Sequence, residues 1–154
     1  VDTKQPMQVL INKIRSSINL SSEAEQYIFS IAKVKKVSKG EVLIRQGQTV
    51  NKTFFVVHGS LRSFCLDKEG KVDTLQFAIK DWWISDFMAW FEDNPTSLTI
   101  ECITDSTLIE IKISDLEELY RRFPVFEALQ RKNLEKHLAS LQKRLLNQLQ
   151  LSAG

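Results

Sequence analysis

The chain has 154 residues, of which 43% are hydrophobic and 26% charged, with 21 basic against 19 acidic side chains. This is globular composition, enough for one domain with or without a helical appendage, and it excludes a disordered chain. No apolar run approaches the roughly 18 residues of a membrane span, and two cysteines and two histidines exclude a disulfide framework, a zinc quartet and a histidine-rich metal centre.

At the N-terminal end, Met7, Leu10, Ile11 and Ile14 recur at helical spacing and predict an amphipathic helix over 6–16. A second helix is expected to open at Ser22, read with Glu25 as a capping box, and to run through Tyr27, Ile28, Ile31 and Ala32. From Val34 to Ile113 the sequence breaks into short β-prone pieces at 42–44, 54–57, 61–66, 74–79, 98–103 and 108–113. Glycines 40, 47, 59 and 70 mark corners between them. Leu75, Phe77 and Ile79 alternate with Thr74 and Gln76, and the pattern 109–113 predicts isoleucines inward with Glu110 and Lys112 outward. Ser114 and Glu117 form a second capping-box pattern, opening a helix to Tyr120. Pro124 suits the first position of a last helix, expected to reach about Leu151.

That last helix sets Leu134, Leu138, Leu141 and Leu145 at spacings of +4, +3 and +4, an a/d seam, with Leu146, Leu149 and Leu151 beside it. About 28 residues span roughly 42 Å, more than a small barrel covers. The seam is therefore expected to pair two copies into a parallel homodimer. The fold class expected is mainly β with flanking helices, a sandwich or barrel followed by a long C-terminal helix.

Catalytic patterns are missing. Neither a G-x-S-x-G elbow nor a phosphate-cradling G-x-x-x-x-G-K-[ST] loop occurs, so the chain is read as a non-enzyme with no catalytic or metal-ligating set. A metal-dependent jelly-roll enzyme would need clustered His and Glu, which two distant histidines do not supply. Cys65 and Cys102 fall in predicted strands and are expected to be buried and inert. The densest local signal is 81–91, which holds all three tryptophans, two phenylalanines and two aspartates. So many rings exceed what a small barrel buries, and they point to a ligand or partner surface. Charge is also uneven. Ten acidic residues against Lys112 alone lie between Asp81 and Glu118, and seven basic against two acidic between Arg121 and Arg144.

The β-rich middle resembles the cyclic-nucleotide-binding domain. Gly40-Glu41-Val42-Leu43-Ile44-Arg45-Gln46-Gly47-Gln48 is similar to that domain's opening strand, and Phe54-Phe55-Val56-Val57-His58-Gly59-Ser60-Leu61-Arg62 to its next pair of strands. Asp67-Lys68-Glu69-Gly70-Lys71 fits its hairpin turn, Thr107–Ile111 a late strand, and the leucine-rich helix its end. Within the superfamily the arrangement looks like the sensor part of Crp/Fnr transcription regulators. The resemblance implies a double-stranded β-helix, a jelly-roll-like β-roll, over 1–122, with a dimerisation helix over 123–151. It also implies a cytoplasmic protein, a small-molecule effector, no membrane contact, and DNA contact only through a C-terminal helix-turn-helix domain not in this chain.

The family's phosphate cassette carries a Gly-Glu pair for the ribose and an Arg-Ser pair for the cyclic phosphate. Aligned here, these fall on Ser85-Asp86 and, after Pro95, on Thr96-Ser97. Asp86 keeps an acidic acceptor, Thr96 carries no charge, and no basic residue lies between 81 and 111. The candidate ligand set is Trp83, Ser85, Asp86, Phe87, Thr96 and Ser97. No cofactor is assigned beyond a cyclic nucleotide implied by the resemblance, and its binding is expected to be weak or absent. The alternative reading is a stand-alone interaction domain that has lost ligand binding.

Overall fold

The computed structural model describes residues 3–153, with side chains described to residue 150. Two helices, α1 (Lys4–Arg15) and α2 (Ser22–Ile31), precede the strands β1 (Ala32–Val37), β2 (Val42–Ile44), β3 (Lys52–His58), β4 (Leu61–Leu66), β5 (Val72–Ala78) and β6 (Trp83–Ile84). Next come α3 (Phe87–Glu92), β7 (Thr99–Cys102), β8 (Ser106–Lys112), α4 (Ile113–Arg122) and α5 (Val125–Ala153). The strands form two four-stranded sheets, ordered β1-β8-β3-β6 and β2-β7-β4-β5, and every pairing is antiparallel. Sequence neighbours β2 and β3 thus lie in different sheets, the crossing pattern of a jelly-roll-like β-roll.

Two apolar layers hold the molecule. Between the sheets, Phe54, Val56, Leu61, Ala78, Ile84, Ile100 and Leu108 fill the interior of the roll. On the far side of the first sheet, Phe55, Ile109 and Ile111 meet Leu10, Ile11 and Ile14 of α1, Ile28 of α2, Leu116 and Leu119 of α4 and Phe126 of α5. β3 and β8 are the central strands of the first sheet and are buried on both faces.

Several local expectations are corrected. The cap of α2 is Ser21, whose hydroxyl accepts from the Ala24 amide at 3.1 Å, so Ser22 is already helical and its pairing with Glu25 is not a capping box. Ala32 opens β1 instead of ending the helix. Ser114 also lies inside its helix: α4 starts at Ile113 with Lys112 at the cap position, which makes no side-chain cap bond. Pro124 precedes α5 by one residue. Glu110 does not face solvent: it is 6% exposed, and Lys35 and Lys52 reach it at 2.8 and 3.4 Å. Ile109 and Ile111 are buried as expected, though beneath the helices and not inside the roll. Leu75, Phe77 and Ile79 do share a face, but it is the exposed one. Cys102 is buried, and burial, with Glu41 and Glu101 adding to it, pushes its thiol up to about 11; Cys65 is only partly covered.

Helix α5 runs 29 residues, about 43 Å, and touches the roll as far along as Arg144. Leu134, Leu138, Leu141 and Leu145 are each at least half exposed. Its inner face touches the roll through few groups. His137 sets its ring edge-on to Trp82 at 5.6 Å, Lys136 lies over the same indole, and Arg144 donates to the Leu75 carbonyl. Leu151, expected to flank the seam, has a side chain outside the described residues.

Candidate functional site

The segment between β5 and β7 is held at one end of the roll by backbone bonds. Asp81, with φ of 72°, donates its amide to Val56 O at 2.8 Å, and the Val56 amide returns to Trp82 O at 2.9 Å. β6 then adds two residues to the edge of β3, pairing Ile84 with Phe54 and Trp83 with Phe55. The pleat sends Ile84 into the roll and Trp83 to the helix side, where its ring packs on Phe55 at 5.1 Å. Ser85 Oγ donates to Lys52 O at 2.6 Å.

Asp86 organises the chain from α3 to β7. It is the N-cap of α3, with one carboxylate oxygen accepting from the Ala89 amide at 3.1 Å. Its other oxygen accepts from Thr96 Oγ1 at 2.6 Å, and the same Thr96 oxygen accepts from the Leu98 amide at 2.9 Å. Both residues are nearly sealed, Asp86 at 5% and Thr96 at 2% exposure. Thr96 is fixed from outside as well: its amide donates to Gln48 O, and Gly47 donates to Thr96 O. Asp93 in the left-handed region turns the chain after α3, and the loop returns through the exposed Ser97 to β7.

The structure therefore joins Asp86 and Thr96 at the start of α3, while the preceding Ser85 is bonded to Lys52 O. Trp83 and Phe87 turn instead towards α4 and α5, and Ser97 stays on the surface. The acid and the hydroxyl that align with the family's ribose and phosphate ligands bond each other. A sequence reading supplies the two positions but not their mutual bond, because ten residues separate them.

The rings of 81–91 divide. Trp82 and Trp90 lie against the roll's core, while Phe87, Met88 and Phe91 are exposed, Phe91 at 85%. Trp90 Nε1 donates to Glu117 on α4 at 3.0 Å. The reading of the sequence missed Glu117, Tyr120 and Asn133 as neighbours of this aromatic face. The signal lay in the apolar 3–4 spacing of α4, where Ile113, Leu116 and Tyr120 share a side with Glu117. Among the described residues no cluster of His, Cys, Asp and Glu is placed to hold a metal ion, and no helix is long and apolar enough to cross a membrane.

The family model for cyclic nucleotide-binding domains matches residues 34–123, from β1 through α4. Among solved structures, the sensor domain of the transcriptional regulator DNR from Pseudomonas aeruginosa superposes with a TM-score of 0.68 at 19% identity, over 93% of each chain. The catabolite activator protein of Thermus thermophilus is similar at TM-score 0.65 and 21% identity. That match covers 84% of this chain and 61% of the activator, so this chain spans about three fifths of the activator's length. A CooA mutant from Carboxydothermus hydrogenoformans is similar at TM-score 0.64 and 22% identity, over 84% of this chain and 80% of its own. No curated protein sequence matches the chain.

Proposed function

The chain belongs to the family of cyclic nucleotide-binding domains, and from that premise we propose that it is the effector-sensing and dimerisation module of a Crp/Fnr-type transcription regulator. One observation carries the reading: a β-roll is joined to a 29-residue helix whose leucine seam is exposed. A seam of Leu134, Leu138, Leu141 and Leu145 is covered most simply by its own copy in a parallel pair. A small effector that changes how α5 rests on its roll then changes how the two helices cross, and a DNA-binding domain elsewhere in the protein feels the change. No catalytic role is assigned, and the protein acts in the cytoplasm without membrane contact.

A second reading has its own observation. Because Asp86 and Thr96 satisfy each other, the roll can serve as a stand-alone interaction domain without a ligand in the ancestral place. The two readings share the dimer and differ in whether any small molecule moves α5.

Sedimentation equilibrium tests the common part. Wild type is expected as a dimer, and Leu141→Glu as a monomer with unchanged circular dichroism, since two carboxylates at the axis lack partners and cost several kcal/mol. A Leu141→Glu variant that still sediments as the same dimer removes the seam from the interface.

A further inference from the structure

The seat of α5 on the roll is hollow. A cleft of about 410 Å³ lies between α3, α4 and α5, with Trp83 of β6 in its wall and neither Asp86 nor Thr96 among its lining residues. Its walls are largely apolar, with Trp83, Phe87, Trp90 and Leu116 among the lining residues. Polar groups enter from both α4 and α5. Tyr120 and Asn133 face the space from α4 and α5, and neither makes a side-chain hydrogen bond among the described residues. Burial pushes the Tyr120 hydroxyl up to about 12, so it is a neutral donor across the physiological range. Glu117 is the carboxylate at the cleft, held by Trp90, and neither lysine nor arginine lines it.

We propose that this cleft is the effector site of the module, and that it takes a planar heteroaromatic molecule bearing no negative charge. The inference rests on the sensor role proposed for the chain and deepens it. A pocket of this size, apolar with a few convergent polar groups, is the usual form of a small-molecule site. Flat rings stack on indole and phenyl faces, and a positive charge gains further from those faces and from Glu117. An anion meets the Glu117 carboxylate, while the nearest lysines, Lys13, Lys132 and Lys136, line the adjoining hollow that shares Trp83, Tyr120 and Asn133, so a cyclic phosphate is disfavoured on charge. Position supplies the output. Asn133, Leu134 and His137 of α5 line the cleft, and Leu134 begins the leucine seam. An occupant thus bears directly on the helix that pairs the two copies.

Proflavine, a planar cation, is a suitable probe, with 9-anthracenecarboxylate as an anion of like shape. Titration followed by tryptophan quenching is expected to give one site per chain with a dissociation constant of about 0.1 mM for proflavine. The anion is expected at least tenfold weaker. Asn133→Phe, which fills the cleft from α5, should weaken proflavine at least tenfold, and Glu117→Gln should narrow the gap between cation and anion. Equal binding of both probes, or proflavine binding unchanged in Asn133→Phe, overturns the proposal. Sedimentation of the same samples keeps the two ideas apart. A dimer whose proflavine binding ignores the cleft variants rejects the effector site alone, and a monomer that still binds proflavine at the cleft rejects the dimer reading alone.

Discussion

The hydroxyl of Thr96 has one proton, and Asp86 takes it at 2.6 Å. Both groups are buried and bonded to each other, and no basic residue stands between 81 and 111 to replace the missing guanidinium. A cyclic phosphate buried without a cation forfeits about 2–5 kcal/mol, or about thirty- to several-thousand-fold in affinity. Calorimetric titration with cyclic AMP and cyclic GMP is therefore expected to give no dissociation constant below about 10 μM. A tighter value means that a cation from elsewhere reaches the roll. A second buried acid is better provided for. Burial alone would raise the Glu110 carboxyl, but the hydrogen bond and charge of Lys35, with Lys52 adding to both, outweigh it and hold the group below the usual carboxylate range. Since its folded pKa lies under its unfolded value of about 4.3, the stabilisation is complete above that value and lost as pH falls through the folded pKa. Urea unfolding from pH 7 to pH 3 should show Glu110→Gln less stable near neutrality, with the gap closing below about pH 4. A gap constant across that range removes the ion pairs from the account.

Elements are decided where chain geometry and packing agree, and the β3–β4 corner is the sharpest case. Gly59 has φ of +102°, and a Cβ there would sit 2.2 Å from Ser106 Oγ and 2.8 Å from the Asp105 carbonyl oxygen. Gly70 has φ of +80° with nothing within 4 Å of its added Cβ. Both alanine variants meet the left-handed penalty of about 1–2 kcal/mol, and Gly59→Ala adds overpacking of about 1–3 kcal/mol. Denaturant unfolding should rank Gly59→Ala clearly below Gly70→Ala; equal losses would mean that the β8 entry yields without cost. Glycine corners of this kind are readable in a sequence because the φ requirement is local, and Gly40, Gly47, Gly59 and Gly70 all carry positive φ. The elements that escape such reading are set by their partners. β1, with Lys33, Lys35 and Lys36, is absent from the predicted strands because it is set by β8, which pairs with it along six residues and places Glu110 beside Lys35. β6 is two residues long and exists only against Phe54 and Phe55. Alternation predicts Glu110 outward because it presumes a solvated face, and β8 has none. The positions of the candidate site are legible in the same partial way. Asp86 and Thr96, set on the family pattern by sequence, can be named from it, whereas their mutual bond and the turn of Trp83 and Phe87 towards α4 and α5 depend on the fold.

At the scale of the whole molecule, the formal charge of +2 hides an acidic half and a basic helix. The basic side chains of α5 do not form a stripe poised for phosphates. Lys136 lies over Trp82, Arg144 is bound to the Leu75 carbonyl, and Arg131 is 3.7 Å from Glu135. That leaves Lys132 and Lys143 as the helix's readiest cations for a phosphate. Phosphate contacts alone give binding that fades steeply with salt and carries no sequence information. Reading bases would need a helix end or a ribbon entering the major groove, and here α5 is the long projecting element, its apolar seam proposed to face a second copy. The acidic stretch from 81 to 118 adds repulsion over the adjoining surface. A few phosphate contacts per chain correspond to a salt slope of magnitude about 2–4. Band-shift titrations with residues 1–154 are thus expected to show weak binding near 50 mM salt, none near 150 mM, and no preference between a palindromic and a scrambled duplex. A complex that survives 150 mM salt and discriminates between those duplexes would place a DNA-reading surface inside the roll or on α5, and the division of labour between sensor and reader proposed for this chain would fall with it.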